Sequence, residues 1–316
     1  MKTIDIRTGA PYQVLVGRDI LKSAGVKILE IKSYKKIAVI TDDIVYKLHG
    51  KTLKESLNLS GLSYEFFVFP NGEASKCQDT LNRIYEFLTL SGISRSDLIV
   101  AFGGGVVGDM AGFAASTYLR GVDYIQIPTT LIAQTDSSVG GKTAIDTPLG
   151  KNLVGAFYQP KLVLCDVDLL STLPDSVFNA AMAEVIKYAL LTESDLFSVL
   201  ENKSIQDCLE DVVNRCIQIK ADVVAGDEFD KGNRMTLQGM AITEEHIYHN
   251  HFPATKNMPN NWANPITPTF SVPEQGVALY IDLDTYTMTV YKDGKEYKTY
   301  PVSGGKTSTP SPLGTC

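Results

Sequence analysis

Hydrophobic and polar residues alternate at the start of the chain, and Gly9, Ala10 and Pro11 interrupt the alternation. A period of two is typical of strands, so residues 3–17 predict an antiparallel pair of strands. Further strands are predicted at 36–41, 64–69, 97–102 and 124–127, and helical periodicity covers 75–91 and the stretch from the glycines at 103–105 to about 117. Strands that alternate with helices predict an α/β fold, a doubly wound parallel sheet covered on both faces.

The pattern changes at about residue 174 and again at about residue 235. Apolar residues three and four apart in 176–192, 196–200 and 205–224 predict helices. Residues 257–272 are rich in Asn, Pro and Thr, which is typical of a linker, whereas 277–300 alternate like strands. We expect four parts: an NAD-binding α/β domain over 1–160, a partial α-helical domain over 161–235, a linker over 236–275 and a partial, short β-rich tail over 276–316.

Composition narrows the class of protein. The 316 residues carry a formal net charge of -7, and 44% of them are hydrophobic. This is a globular composition, and the acidic balance favours neither nucleic acid nor a membrane as a partner. No apolar targeting segment or membrane span is visible, and the five Cys form no CxxC motif. We therefore expect free thiols in a reducing compartment and a cytoplasmic protein.

The glycine-rich stretch 103–109 follows a predicted strand, opens a predicted helix and matches the G-x-G-x-x-G pattern. Glycines allow the backbone to approach a pyrophosphate, and the helix start supplies N–H donors and positive potential. A tight turn without a nucleotide is the alternative. Asp42 ends an earlier predicted strand, where it could accept from a ribose hydroxyl or cap a helix.

Two glycine-lysine turns follow, with Lys142 and Lys151 after the glycines at 140–141 and 150. A lysine on a glycine turn is a suitable point charge for phosphate, although a lone instance is usually solvated. Asp136 and Arg120 lie nearby in sequence, which favours a binding site.

Glu184 lies one helical turn before Lys187, and the residues between them are apolar. Such a pair is most often a surface ion pair, but a buried carboxylate there would need a metal or a cation. The spacing of three histidines, His246, His249 and His251, is similar to that of a metal-binding cluster. They lie on no predicted helix or strand, so a solvated loop is the favoured interpretation.

Residues 1 to about 235 resemble the 3-dehydroquinate synthase family. The stretches that carry the resemblance are 102–121, 126–131, 136–144, 150–160 and 183–188. The resemblance implies an NAD-binding α/β domain joined to an α-helical domain, a divalent metal such as zinc or cobalt, and a possible homodimer. It also implies a lyase of the shikimate pathway that converts a sugar acid phosphate, 3-deoxy-D-arabino-heptulosonate 7-phosphate, to 3-dehydroquinate and phosphate.

The same resemblance implies roles for individual residues. The implied NAD positions are Asp42, Asn71, Glu73, Lys76, Gly105, Val106, Val107, Gly108, Asp109, Thr129, Thr130, Lys142 and Lys151. The implied catalytic and substrate positions are Arg120, Asp136, Lys142, Asn152, Lys187, Lys220 and Arg234, and Glu184 is the implied metal ligand.

The chain departs from the family after Arg234. The family uses one Glu and two His as metal ligands, and its Asn-x-Gly-His-Thr-type segment is replaced here by Thr-Leu-Gln-Gly-Met-Ala-Ile-Thr at 236–243. We therefore expect an incomplete metal site and an impaired enzyme. A related sugar phosphate cyclase or glycerol-type dehydrogenase is a weaker alternative.

Residues 276–316 resemble the opening strands of an L,D-transpeptidase catalytic domain. L,D-transpeptidases are enzymes that cross-link peptidoglycan. The second interpretation of the chain is accordingly a non-catalytic chimera of a synthase piece and a transpeptidase piece.

Overall fold

The computed structural model describes residues 1–191, 196–231, 277–282, 287–292 and 295–301. The chain divides into two compact units, Met1–Arg234 and Met235–Cys316.

A seven-stranded sheet forms the centre of the first unit. The strands of this unit are β1 (Lys2–Ile6), β2 (Tyr12–Gly17), β3 (Lys36–Asp42), β4 (Ser63–Phe69), β5 (Leu98–Gly103), β6 (Asp123–Pro128), β7 (Lys142–Thr147), β8 (Gly150–Phe157) and β9 (Leu162–Asp166). The sheet order is β1-β2-β9-β6-β5-β3-β4, and only the β1–β2 pair within it is antiparallel. The predicted α/β fold with a mostly parallel sheet is confirmed. Strand β9 lies beyond residue 160, the expected end of the α/β domain, yet it belongs to the same sheet.

Helices cover both faces of this sheet because its central strands are apolar on both sides. The helices are α1 (Ala24–Ile31), α2 (Asp43–Leu59), α3 (Gln78–Leu90) and α4 (Gly105–Thr117). Ile28 of α1 and Leu53 of α2 pack with Val100 of β5, whereas Leu81 of α3 packs in the cluster that contains Ile99. Consecutive β5 residues thus point to opposite faces, as the pleat of a strand requires.

Three more helices pack on the β1–β2–β9 end of the sheet: α5 (Asp175–Leu191), α6 (Leu196–Asn202) and α7 (Ile205–Gly226). Val212 and Ile217 of α7 share a core cluster with Val14 of β2 and Val163 of β9, and all four side chains are fully buried. The helices predicted from periodicity in this region are confirmed. Their apolar stripe is held against the sheet by burial of surface that would otherwise face water.

Strands β7 and β8 form a separate antiparallel hairpin in which Lys142 pairs with Phe157. The predicted glycine-lysine turns are therefore the beginnings of two paired strands. The hairpin lies close to α4, because a Cβ atom on Gly112 would lie 2.5 Å from Thr143 Cγ2.

The second unit contains β10 (Val277–Asp282), β11 (Thr287–Lys292) and β12 (Lys295–Pro301), which form an antiparallel sheet in that order. The alternation over 277–300 therefore corresponds to real strands. The predicted turn at 293–294 and the predicted linker at 236–275 lie outside the described residues. In the part of the chain that the structure describes, no helix is long and apolar enough to cross a membrane.

Candidate active site

A crevice is expected where the strand order of a parallel sheet reverses. Here the chain passes from β3 outward to β4, and then returns to place β5 on the other side of β3. Asp42 ends β3, Gly103 ends β5, and Thr129 directly follows β6. The carboxyl ends of these strands meet at the edge where α/β folds bind their ligands.

The glycine turn lies at this edge and opens helix α4. Gly104 precedes the helix, and no side chain caps the first turn. The N–H of Thr129 donates to the Gly103 carbonyl at 3.0 Å, and a Cβ on Gly104 would lie 3.0 Å from Thr130 Cγ2. The Thr129 hydroxyl is buried and has no hydrogen-bond partner among the described residues. Helix-start N–H groups beside an unsatisfied hydroxyl fit the pyrophosphate of a dinucleotide.

Asp42 performs the capping role that its position allowed. Its Oδ1 accepts from the N–H of Val45 at 2.9 Å and so satisfies a donor of the first turn of α2. Burial raises the pKa of Asp42, while the N–H donors of Val45 and Ile44 act in the opposite direction. The capping interpretation is confirmed, and a ribose contact stays a prediction.

Polar contacts at the rim connect the loop after β4 to its surroundings. Asn71 donates to Asp43 Oδ1 through its backbone N–H at 2.8 Å and its Nδ2 at 3.0 Å. Lys151 of β8 places its Nζ 2.9 Å from Glu73 Oε1, and this hydrogen bond raises the pKa of Lys151. Both partners are well exposed, so the pair contributes little to stability.

Lys76 lies deeper and joins two sets of predicted residues. Its Nζ is 2.5 Å from Asp109 Oδ2 of α4 and 2.6 Å from Asn152 Oδ1 of β8. Burial raises the pKa of Asp109, and the neighbouring Lys76 ammonium opposes that shift. A predicted cofactor residue and a predicted substrate residue are therefore brought together by one buried lysine.

Asp136 receives two donors from the helical part of the unit. Lys220 Nζ of α7 lies 2.6 Å from Asp136 Oδ1, and the Tyr188 hydroxyl of α5 donates to the same oxygen. Burial alone would raise the pKa of Asp136, but Lys220 and Tyr188 together hold it below its usual range. Tyr188 was not predicted, because nothing in the helical periodicity distinguishes a phenol that meets a distant carboxylate from an ordinary core tyrosine.

Two other predicted lysines also contact carboxylates. Lys142 at the start of β7 forms an ion pair with Asp230, and Lys187 forms one with Glu184 on the same helix. The Lys187 ammonium also lies 5.7 Å from the centre of the Tyr188 ring. Lysines on β7, α5 and α7 are therefore each paired with a carboxylate within the first unit.

The described residues do not fit a three-ligand metal site. Within residues 1–191 and 196–231 and the three tail strands, no group of three or more His, Cys, Asp or Glu could hold a metal ion. The Glu184 carboxylate contacts Lys187 instead. Arg234 and the three predicted-loop histidines at 246, 249 and 251 lie outside the described residues.

Arg120 is not brought together with the other predicted residues. The glycine turn lies at the start of α4, whereas Arg120 follows the C-terminal end of that helix. It is exposed, and its backbone is in the left-handed region with φ 66°. No hydrogen bond or ion pair between described side chains joins it to another predicted site residue.

Comparisons with known proteins identify the family to which the chain belongs. The sequence profile of the 3-dehydroquinate synthase N-terminal domain matches residues 66–180, and that of the 3-dehydroquinate synthase C-terminal domain matches 181–239. The 3-dehydroquinate synthase of Pelobacter propionicus is 48% identical over 232 residues, which are 72% of this chain and 65% of that protein. That of Neisseria meningitidis serogroup C is 45% identical over 260 residues, covering 78% and 72% of the two chains. The chain belongs to the 3-dehydroquinate synthase family.

The chain spans about two thirds of the length of the 3-dehydroquinate synthases that it matches, 65% for the Pelobacter protein. The two family profiles meet at residues 180 and 181, inside α5, and the second ends at residue 239. The transpeptidase resemblance of residues 276–316 stays a prediction.

Solved structures extend the comparison. A 2-deoxy-scyllo-inosose synthase complexed with carbaglucose-6-phosphate, NAD+ and Co2+ has a TM-score of 0.69 at 27% identity, covering 80% of this chain and 72% of that one. ValA, a 2-epi-5-epi-valiolone synthase from Streptomyces hygroscopicus subsp. jinggangensis 5008 with NAD+ and Zn2+ bound, has a TM-score of 0.66 at 26% identity, covering 74% and 67%. An iron-containing alcohol dehydrogenase, at 18% identity and a TM-score of 0.55, shares the fold.

Proposed function

We propose that this chain binds NAD at the carboxyl edge of β3, β5 and β6. The observation that carries the proposal is the glycine turn at the start of α4, beside the buried and unsatisfied Thr129 hydroxyl. The NAD+ in the solved structures of the 2-deoxy-scyllo-inosose synthase and of ValA supports the assignment. Gly105 through Asp109 would hold the pyrophosphate side, while Asp42, Asn71 and Glu73 would face the adenosine side. When bound, NAD supplies reversible hydride transfer, which side chains cannot perform.

The substrate of this site would be the sugar acid phosphate of 3-dehydroquinate synthases, 3-deoxy-D-arabino-heptulosonate 7-phosphate. Lys142, Lys187 and Lys220 would hold its carboxylate and phosphate, because ammonium groups make strong hydrogen bonds to both. Asp136 and Asn152 would bind its hydroxyl groups and so orient the ring against the cofactor. Arg120, which is exposed beyond the far end of α4, and Arg234, which lies outside the described residues, stay predictions from the family resemblance.

Among the described residues, Glu184 belongs to no group of three or more potential metal ligands. The Co2+ and Zn2+ in those two synthase structures favour a divalent ion in the family at large. Because catalytic zinc sites use three protein ligands, we expect cofactor binding without substantial turnover.

The proposal includes the setting in which the chain acts. A cytoplasmic homodimer that takes a small sugar acid phosphate, and neither nucleic acid nor a membrane, agrees with the net charge of -7 and with the family.

Calorimetric titration of the full chain with NAD tests the proposal. We expect saturable binding, and about tenfold weaker binding by Gly104→Val, since that side chain would meet Thr130. Gly226→Ala is the matched control, because a Cβ there meets nothing within 4 Å. Failure of the folded wild-type chain to bind NAD would overturn the proposal.

Turnover is measured as inorganic phosphate released from the heptulosonate phosphate. We expect release at or near the background rate. Fast release would support the substrate assignment and contradict the expected impairment.

A further inference from the structure

Lys76 occupies the junction between the loop after β4 and the β7–β8 hairpin. It follows the short 3-10 turn Glu73–Ser75. Its carbonyl accepts from the N–H of Asp146 on β7 at 2.8 Å, so its backbone is hydrogen-bonded to the hairpin. The side chain is 7% exposed, which is unusual for a lysine and requires compensating partners.

Both partners of the Lys76 ammonium come from elements with different proposed tasks. Asp109 lies in the first turns of α4, the helix that the glycine turn opens, and Asn152 lies on β8 with the substrate-side groups. Bonds of 2.5 and 2.6 Å to a carboxylate and an amide oxygen are short charge-assisted contacts. The lysine therefore joins the cofactor side to the substrate side directly.

Asn152 depends on this junction for its orientation. Its backbone has φ 56°, and its N–H donates to Asp146 Oδ1 at 2.9 Å. Asn is one of the few residues that adopts the left-handed region readily. With the backbone held by Asp146 and the side-chain oxygen held by Lys76, the Asn152 amide has a defined direction.

We propose that Lys76 is a positioning residue that couples the cofactor site to the anion-binding site through Asp109 and Asn152. The inference rests on the proposed function, and it differs from the role of direct NAD contact that the family resemblance implies for Lys76. A shift of Asp109 on nucleotide binding changes the Lys76–Asn152 bond, and the reverse holds as well. Coupling between two binding sites is reciprocal by thermodynamic necessity.

A binding cycle on the full chain tests the coupling. NAD is titrated by calorimetry in the absence and in the presence of saturating inorganic phosphate, for the wild type, Lys76→Met and the control Lys54→Met. Lys54 lies on the outer surface of α2, where it contacts Tyr46 and Phe66. We expect phosphate to change the Kd for NAD by about fivefold or more in the wild type and in Lys54→Met, and to have no effect in Lys76→Met.

The outcomes separate the two roles of Lys76. If it only contacts NAD, Lys76→Met raises the Kd equally with and without phosphate, and the ratio of the two values is preserved. A preserved ratio, or a ratio of one in the wild type, overturns the inference.

Urea unfolding supplies a second measurement that needs no ligand. Lys76→Met, Asn152→Gly and the double variant form a cycle, and glycine keeps the left-handed backbone available. We expect the double variant to lose less in urea midpoint than the sum of the two single losses, whereas strict additivity would overturn the inference. If the folded wild type binds no NAD, the proposed function fails, while this cycle still decides whether Lys76 positions Asn152.

Discussion

The Lys220 ammonium lies 2.6 Å from Asp136 Oδ1, although 84 residues separate the two in sequence. Lys220 belongs to α7, and Asp136 to the helical turn Ala133–Ser137 that follows β6. Lys220 is almost completely buried, at 3% side-chain exposure, so its charge requires this partner. The pair therefore joins the sheet to the helices packed on it within the first unit, and it lies among the proposed substrate residues.

Replacement of Asp136 by Asn should lower the free energy of unfolding by about 3 kcal/mol at pH 7, because it removes the carboxylate charge that lies 2.6 Å from the buried Lys220 ammonium. The pKa of Asp136 is lowered in the folded chain, so its contribution is present above the unfolded value of about 4 and is lost as pH falls through the folded pKa. Urea unfolding at pH 7 and at about pH 3 measures this. The difference between wild type and variant should shrink at the lower pH.

The control for that experiment is Asp211→Asn, because Asp211 is about one-third exposed and forms surface pairs with Lys2 and Arg215. Surface pairs contribute about 1 kcal/mol or less. An equal loss of free energy of unfolding in Asp136→Asn and Asp211→Asn would show that the buried pair contributes no more than the surface pairs, and would contradict the prediction.

Gly112→Ala should destabilise the chain by about 1–3 kcal/mol through overpacking. The added Cβ would lie 2.5 Å from Thr143 Cγ2 and 3.3 Å from the ring of Tyr124, so α4 would have to move away from the hairpin. Thermal or urea unfolding measures the loss. Gly226→Ala near the end of α7 should be neutral or slightly stabilising, since alanine is the better helix former and the site is open. Equal effects of both substitutions would contradict the close approach of α4.

Zinc should bind weakly and without effect on stability. Glu184 contacts Lys187, and the described residues provide no cluster of ligands around it. After dialysis we expect less than one tightly held zinc per chain by elemental analysis, and no change in Tm on adding EDTA. Glu184→Gln should bind as little zinc as the wild type. One tightly bound zinc that is lost in Glu184→Gln would show that ligands outside the described residues complete the site.

Sequence patterns predicted the sheet because its central strands are apolar on both faces. They did not predict the β7–β8 hairpin, since β8 is exposed along almost its whole length and so has no buried face to produce an alternation. For Asp42 the pattern left a cap and a ribose ligand equally open, because both tasks need a short carboxylate at the start of a helix.

The partners of the site residues could not be predicted from local pattern. Lys76 meets Asn152 across 76 residues, and Lys142 meets Asp230 across 88. Such contacts depend on how the hairpin and the helices pack, which a period of two or 3.6 does not encode. The residue types at these positions indicated anion and nucleotide chemistry, and only the fold decides which charges neutralise one another.

Tyr188→Phe isolates the contribution of one hydroxyl to the Asp136 site. The phenol donates to Asp136 and is buried, with 4% of the residue exposed. Burial is the main cause that raises the pKa of Tyr188, and the neighbouring Asp136 carboxylate raises it further, so the hydroxyl stays a donor. Phenylalanine keeps the ring in the core and removes the donor, which should lower the free energy of unfolding by about 2 kcal/mol. The fall in the free energy of unfolding on acidification should also move to higher pH, because one of the groups that depress the pKa of Asp136 is gone.

Tyr85→Phe is the matched control, since the Tyr85 hydroxyl contacts Thr117 on the exposed surface. A pure packing role for Tyr188 predicts no shift of this fall to higher pH, so an unchanged pH profile would contradict the assignment of its hydroxyl to Asp136.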